Sequence, residues 1–290
     1  MQIAPTLLDF RPLAPSFGAE LSGMPVHGDV SDADLRAFVD ALHRHRVLLL
    51  RNPGLDPGDL VAFSKRLGPL ELHAAVEARH PAHPEIFCVG NVVRDGITAN
   101  FARGVEQWHA DSSYRVIASD ASLFYGEEVP PEGGETMFAD ATGAWDALDP
   151  ATRQRLEGLR AVHSLETLYD WNRRHTPNRA PLSAEKRALW PPVSHPLVRT
   201  HPVTGAKSLY LCPAVISHIE GMDAAEGAAL IEELTAHATA PRFVYSHRWR
   251  HGDLVIWDNR AVLHTASLFD HTRYQRPMFR TTLAGGALAA

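Results

Sequence analysis

The chain has 290 residues, 45% of them hydrophobic and 21% charged, an ordinary balance for a soluble globular protein with a large core. A net charge of −6 and a pI near 6.3 give no basic surface for nucleic acid or an anionic membrane, and neither is expected as a partner. Two cysteines, Cys88 and Cys212, lack CxxC spacing and are too few for a disulfide framework, which favours a reduced, cytoplasmic setting. No apolar run approaches the roughly 20 residues of a membrane span, and Met1–Pro5 has no basic region leading into an apolar stretch, so no signal peptide is expected.

The first quarter alternates helix-like and strand-like segments. Ser31 followed by Asp32 and Asp34 predicts a capped helix start, with Leu35, Phe38, Val39 and Leu42 at helical spacing. Arg46–Leu50 reads as a buried strand closed by Asn52-Pro53-Gly54, and Asp56-Pro57 opens a second helix running through Leu60, Phe63 and Leu67 to Gly68. From Ile86 the pattern changes to short β-like runs: Ile86–Val89, Ala121–Gly126, Thr136–Phe138, His195–Thr200, Ser208–Leu211, Arg242–Tyr245, Asp253–Trp257 and Met278–Leu283. Helical insertions are expected at Ala141–Gly158, restarted at Asp149-Pro150, and at Asp223–Ala238. Many short strands with few intervening helices predict a mainly β sandwich or barrel in a single domain. Thr167–Val193 is polar, basic and proline-bearing, and reads either as a lid over an anionic or aromatic substrate or as a solvated excursion. The tail Gly285–Ala290 reads as frayed.

Trp108-His109-Ala110-Asp111 places two kinds of metal ligand on one segment, since residues i and i+2 of an extended strand share a face. Alone, such a pair is more often a surface histidine beside a solvated aspartate, and seventeen histidines make accidental pairings common. Asp253–Arg260 reads as a strand entering a polar turn, with His264 soon after and Arg276 and Arg280 beyond it, spaced to share one face of a strand. Gly133-Gly134-Glu135-Thr136 is a tight turn that delivers a threonine hydroxyl at a strand start. The residues by themselves leave three readings open: a facial two-histidine, one-carboxylate iron site, a zinc hydrolase using the same ligands, or a β-sandwich binding module with incidental histidines.

In this order the pieces resemble the taurine dioxygenase/TfdA family of Fe(II)- and 2-oxoglutarate-dependent oxygenases. The resemblance is carried by W-H-A-D at 108–111, G-G-E-T at 133–136, H-P-L-V-R-T-H-P-V-T-G at 195–205, W-x-x-G-D-L-V-I-W-D-N-R at 249–260, His264, and R-x-x-x-R at 276–280, and it spans nearly the whole chain. It implies a double-stranded β-helix (jelly-roll) core with flanking helices, with Fe(II), 2-oxoglutarate and O2 as the reacting set. His109, Asp111 and His264 would be the iron ligands. Thr136 and Arg276 would hold the distal carboxylate of 2-oxoglutarate, with Arg280 close to the co-substrate and on the substrate side. The interval from His264 to Arg276 is one residue longer than the family pattern, so an ungapped match would put Gln275 at the arginine position; Arg276 is preferred because it keeps the spacing to Arg280. His73 falls where the taurine enzymes bind sulfonate, while Asp140–Leu148, Trp190–Val193, Ser217–Met222 and Phe243–Trp249 are nearer the aryloxyacetate-cleaving branch. The expected substrate is a small organic anion, an aryloxyalkanoate ahead of taurine, an alkyl sulfonate or an alkyl sulfate, with Tyr114, Tyr169 and Trp171 as an aromatic wall. A homo-oligomer, dimer or tetramer, is expected.

Overall fold

The computed structural model describes residues 8–94, 96–99, 107–175 and 180–288. Its elements in chain order begin with β1 (Asp9–Pro12), β2 (Ala19–Ser22), α1 (Asp32–His45), β3 (Val47–Leu50), α2 (Pro57–Leu67), β4 (Phe87–Val89), β5 (Val93–Arg94) and β6 (Ile97–Thr98). The middle holds β7 (Ala121–Gly126), β8 (Thr136–Asp140), α3 (Ala141–Asp146), α4 (Pro150–Leu156), β9 (Arg160–His163), α5 (Leu165–His175), α6 (Ala184–Leu189), β10 (Val193–Pro196), β11 (Val198–Thr200) and β12 (Lys207–Leu209). Then come β13 (Ile216–Ile219), α7 (Ala224–Ala238), β14 (Val244–His247), β15 (Leu254–Asp258), β16 (Val262–Ala266) and β17 (Met278–Leu283).

Two sheets form the jelly-roll. The larger runs β1-β2-β3-β15-β7-β17-β4, antiparallel except where β2 meets β3, and the smaller runs β14-β8-β16. Strand period 2 sorts the larger sheet's side chains onto opposite faces. Leu48, Leu50, Leu123, Tyr125, Leu254, Ile256 and Phe279 pack with Phe38, Leu42, Leu60 and Phe63 of α1 and α2. The alternating Val47, Leu49, Phe124, Val255, Trp257 and Met278 face inward, where they meet Phe138 and Val262 of the smaller sheet. Burial on both faces explains why β3, β7 and β15 read as continuous apolar runs rather than alternating ones. Each fully buried aliphatic or phenyl side chain contributes roughly 1.5–3 kcal/mol, so these two layers carry most of the driving force for closing the roll.

The helix starts follow the capping chemistry of the sequence. Ser31 Oγ accepts from the Asp34 N–H at 3.1 Å, Asp56 forms a reciprocal capping box with Asp59, and Asp223 caps α7. Several expectations need correction. The run His195–Thr200 is two strands split at Leu197, whose N–H bonds to the Leu159 carbonyl and whose carbonyl accepts from Tyr210 N–H. Residues 241–243 form a 3-10 turn, so β14 begins only at Val244. Thr167–Val193 is not an irregular connection: α5 and α6 occupy most of it, with 176–179 outside the described residues. The tail is not frayed through Leu288, because its N–H donates to Asp120 Oδ2 at 2.7 Å and its carbonyl accepts from Arg260; residues 289–290 lie outside the described residues. Among the described residues no helix is long and apolar enough to cross a membrane.

Candidate active site

One antiparallel bridge assembles the centre. His109 does not lie on an extended strand; it makes a single bridge with His264 of β16, its N–H donating to the His264 carbonyl at 3.0 Å and its carbonyl accepting from the His264 N–H at 2.8 Å. Residues facing each other across such a bridge project to the same side, and the two imidazole centroids are 4.1 Å apart. Two residues on, the chain turns at Asp111, which brings its carboxylate to 3.8 Å from Nε2 of both histidines. All three donor groups fall within the spacing of a single ion. The turn is held under strain, since Ser112 adopts φ +56°, a conformation costing a non-glycine residue roughly 1–2 kcal/mol. Its hydroxyl donates to Glu71 at 2.6 Å, which offsets part of that cost.

The protonation pattern suits a metal. His109 Nδ1 lies 2.8 Å from the Gln107 carbonyl, so Nδ1 carries the proton and the Nε2 lone pair faces Asp111. Burial lowers the pKa of both imidazoles, keeping them neutral. Burial alone would raise the Asp111 carboxyl, but the Arg280 guanidinium, with Nη1 2.6 Å from Oδ1, and the Ser122 hydroxyl that donates to Oδ2 hold it well below the usual carboxylate range. Two neutral imidazoles and one carboxylate, with Asp111 and His264 buried and His109 partly so, are a donor set that fits ferrous iron. His43, His201 and Asp258 also come within ligand spacing. There, however, both Asp258 oxygens are taken by Arg260 and His201, whose Nε2 must carry the proton because Nδ1 accepts from Val203 and Thr204. That group is a buried ion-pair network.

The His109/Asp111/His264 group opens into a cavity of about 150 Å³, far beyond the roughly 10–15 Å³ that one water needs. Thr136 and Arg276 sit in its wall. Thr136 is the first residue of β8, delivered by Gly133 and Gly134 at φ +71° and +69°. A Cβ on Gly133 would come within 2.5 Å of the Leu268 carbonyl, so the turn needs glycine there. The Thr136 hydroxyl accepts from the Trp249 indole N–H at 3.0 Å, which leaves its own proton free to point into the cavity. Arg276 is 2% exposed; its Nε donates to the Gly134 carbonyl at 3.2 Å, and its Nη2 is buried with no hydrogen-bond partner among the described residues. Burial pushes its pKa down to about 10, so it remains a cation at neutral pH. A buried guanidinium edge without a partner beside an inward-pointing hydroxyl fits the distal carboxylate of a dicarboxylic acid.

Arg276 precedes β17 instead of sharing a strand face with Arg280, yet both line the same cavity. Gln275 is exposed. Asn91 ties down the segment before Arg276: its amide donates to the His271 and Tyr274 carbonyls while its oxygen accepts from Arg276 N–H. His73 lines the cavity, stacked on Phe87 with centroids 3.6 Å apart, and burial lowers its pKa to about 3. Tyr114 lines it too, edge-on to Trp190. Tyr169 does not: on α5 the cavity-facing positions are Leu168, Trp171 and Asn172, and Tyr169, one step of about 100° round the helix from Leu168, turns to α6, where its hydroxyl meets Lys186. The sequence reading missed Leu168, Asn172, Val89 and Val215 as wall residues, and Ser122 and Asn259 behind Asp111. Asn259 lay within the D-N-R stretch and was the one with a signal, a polar residue ending a wholly buried strand.

Comparison with known proteins agrees. The family described as taurine catabolism dioxygenase TauD, TfdA family matches residues 9–282. The chain is 36% identical over 285 residues to the alpha-ketoglutarate-dependent 2,4-dichlorophenoxyacetate dioxygenase of Burkholderia sp. (strain RASC), covering 94% of this chain and 93% of that one. It is 34% identical over 289 residues to the (S)-phenoxypropionate/alpha-ketoglutarate-dioxygenase of Sphingobium herbicidovorans, covering 96% and 95%. Among solved structures, AAD-2 in complex with Mn(II) and N-oxalylglycine superposes with a TM-score of 0.80 at 32% identity, over 96% of this chain and 98% of that one. The chain belongs to the TauD, TfdA family and is an Fe(II)- and 2-oxoglutarate-dependent dioxygenase.

Proposed function

We propose that the substrate is a small aryloxyalkanoate, hydroxylated on the carbon beside its ether oxygen. His109, Asp111 and His264 would hold the iron, and Arg276 with Thr136 would bind the distal carboxylate of 2-oxoglutarate. Bound ferrous iron supplies dioxygen activation, coupling oxidative decarboxylation of 2-oxoglutarate to succinate and CO2 with transfer of one oxygen atom to a C–H bond. The hydroxylated carbon of an aryloxyacetate is a hemiacetal, which collapses to a phenol and a 2-oxo acid. The observation that carries this reading is the makeup of the cavity. Its cations, Arg276 and Arg280, lie on the β17 side, while Phe87, Val89, Tyr114, Leu168, Trp171 and Val215 form an apolar, aromatic wall suited to a ring. Arg280 would pair with the substrate carboxylate, and the neutral His73 ring would close that end. The α5 face would exclude water from the reacting carbon. The relatives named for dichlorophenoxyacetate and phenoxypropionate support the same substrate class.

The test is succinate release under air with Fe(II) and 2-oxoglutarate over a panel of aryloxyacetates, aryloxypropionates, taurine and alkyl sulfates. Aryloxyalkanoates are expected to turn over fastest, with one phenol formed per succinate. Preferential turnover of taurine or an alkyl sulfate would overturn the assignment. The homo-oligomer, dimer or tetramer, belongs to the same proposal, as does a cytoplasmic setting. Light scattering on the purified protein tests the former.

A further inference from the structure

We propose that Asn259 is a positioning residue that sets the orientation of the Asp111 carboxylate through two serine hydroxyls, an inference that rests on Asp111 being a metal ligand. A carboxamide offers two acceptor sites and two N–H donors, and Asn259 uses all four. Its Oδ1 accepts from the Asp111 backbone N–H at 3.2 Å and from the Trp257 indole N–H at 2.8 Å. Its Nδ2 donates to Ser119 Oγ at 3.2 Å and to Ser122 Oγ at 3.1 Å. Backbone and indole N–H groups can only donate, so the amide cannot be flipped without placing donor against donor.

This fixes the serines. Each hydroxyl has a single proton, and because each accepts from Asn259, that proton is directed elsewhere. Ser122 donates to Asp111 Oδ2 at 2.7 Å, and Ser119 donates to the Asp111 carbonyl at 3.1 Å. One side chain therefore governs Asp111 at three points: its N–H directly, its carbonyl through Ser119 and its carboxylate through Ser122. Asn259 is 2% exposed and both serines are 0% exposed, so water cannot replace a missing partner.

Position in the chain adds to the argument. Asn259 lies in the turn between β15 and β16, and its own N–H bonds to the Asp120 carbonyl at 2.9 Å. The strand that follows carries His264. The same residue thus ties the segment presenting Asp111 to the turn presenting His264. An aspartate here would keep the acceptor half and lose both donors, leaving the serine protons undirected and adding a second carboxylate beside the first. A leucine would orphan the buried Asp111 and Trp257 N–H groups and leave both serine oxygens without a donor.

The experiment is titration of the protein with Co(II) alone, without 2-oxoglutarate or substrate, read by the visible cobalt band, with thermal melting of each variant alongside. Ser122→Ala and Asn259→Ala should each weaken Co(II) binding about tenfold or more, the usual range for groups that orient metal ligands. Because Asn259 acts through Ser122, the double variant should bind no more than about threefold weaker than Asn259→Ala alone. A variant that melts lower yet binds Co(II) like the wild type would show a purely structural role and overturn the inference. Fully additive losses would overturn the relay through Ser122. Should Asn259→Ala fail to fold, Ser122→Ala decides the matter, and unchanged affinity there refutes the proposal. Asp111→Ala and His264→Ala should lose Co(II) binding; if they retain it, the ligand assignment itself fails, a result distinct from failure of the Asn259 role.

Discussion

Replacing Arg276 offers a sharp test of how the cavity recognises its co-substrate. In Arg276→Ala, the Nε bond to Gly134 and the buried Nη2 donor both vanish, and the distal carboxylate of 2-oxoglutarate would enter the buried site with only Thr136 to meet it. Removing one partner of a buried, hydrogen-bonded charge pair costs about 2–5 kcal/mol, which corresponds to roughly a thirtyfold to few-thousandfold weaker 2-oxoglutarate affinity. Arg276→Lys keeps a cation at the end of a flexible stem but loses the planar fork, and about 1–2 kcal/mol, or roughly a fivefold to thirtyfold loss, is expected. The assay is anaerobic titration of the Fe(II)-loaded protein with 2-oxoglutarate, following the weak visible band that appears on binding. A parallel titration uses 2-oxobutyrate, a 2-oxo acid with no distal carboxylate. Arg276→Ala should lose affinity for 2-oxoglutarate and very little for 2-oxobutyrate. Equal losses for both acids, or none for 2-oxoglutarate, would refute the pairing.

Trp249→Phe removes the indole N–H that holds the Thr136 hydroxyl at 3.0 Å. One neutral hydrogen bond is worth about 0.5–1.5 kcal/mol, so the 2-oxoglutarate dissociation constant should rise about twofold to tenfold by calorimetry while Co(II) affinity stays the same. His163 is fully buried, neither ring nitrogen has a hydrogen-bond partner among the described residues, and burial pushes its pKa down to about 3 from 6.5. Below pH 6.5 the unfolded chain takes up a proton that the folded one does not, so this contribution to stability is complete above 6.5 and lost as the pH falls towards 3. Between pH 7.5 and 5 the loss is about 2 kcal/mol; denaturant titrations at the two pH values should show it shrink by that amount in His163→Phe, and an unchanged slope would refute it. Burial pushes Cys88 up to about 12 and Cys212 to about 11. Neither thiol should react with an aromatic disulfide reagent at pH 8 until the protein is unfolded, and rapid reaction of the native chain would contradict their environment.

Much of this was legible because local chemistry and tertiary demand agree. Ser31, Asp56-Pro57 and Asp223 cap helices where capping residues precede apolar periodicity, and β7, β15 and β17 are buried runs bounded by turns. Helix α5 was unreadable for the opposite reason. Leu165, Leu168 and Trp171 do share one face, but the stripe is short and runs straight into Asn172-Arg173-Arg174-His175, whose polar, basic character passes for a loop. His109 was read on a strand but has only one bridge, because Asp111 must turn immediately afterwards. His73, Tyr114, Thr136, Arg276 and Arg280 converge as expected, since motif order along the chain carries that information. Tyr169 turns away because helical phase around α5, which no motif records, decides which aromatic faces inward. The Asn259 network escaped notice for another reason: a polar residue after a buried strand marks Asn259, but nothing local names Asp111, Ser119 or Ser122 as its partners.

The lone bridge between His109 and His264 also sets a timetable for the newborn protein. Its second half belongs to β16, which is synthesised long after His109 and Asp111, so a nascent chain holding those two residues still lacks His264 and the backbone partner that aligns His109. With iron held as proposed, loading would follow the pairing of β16 with β8 that draws the two histidines together. A product cut short before Val262 would carry His109 and Asp111 without His264 and without the bridge that aligns His109, and it would be expected to bind iron poorly.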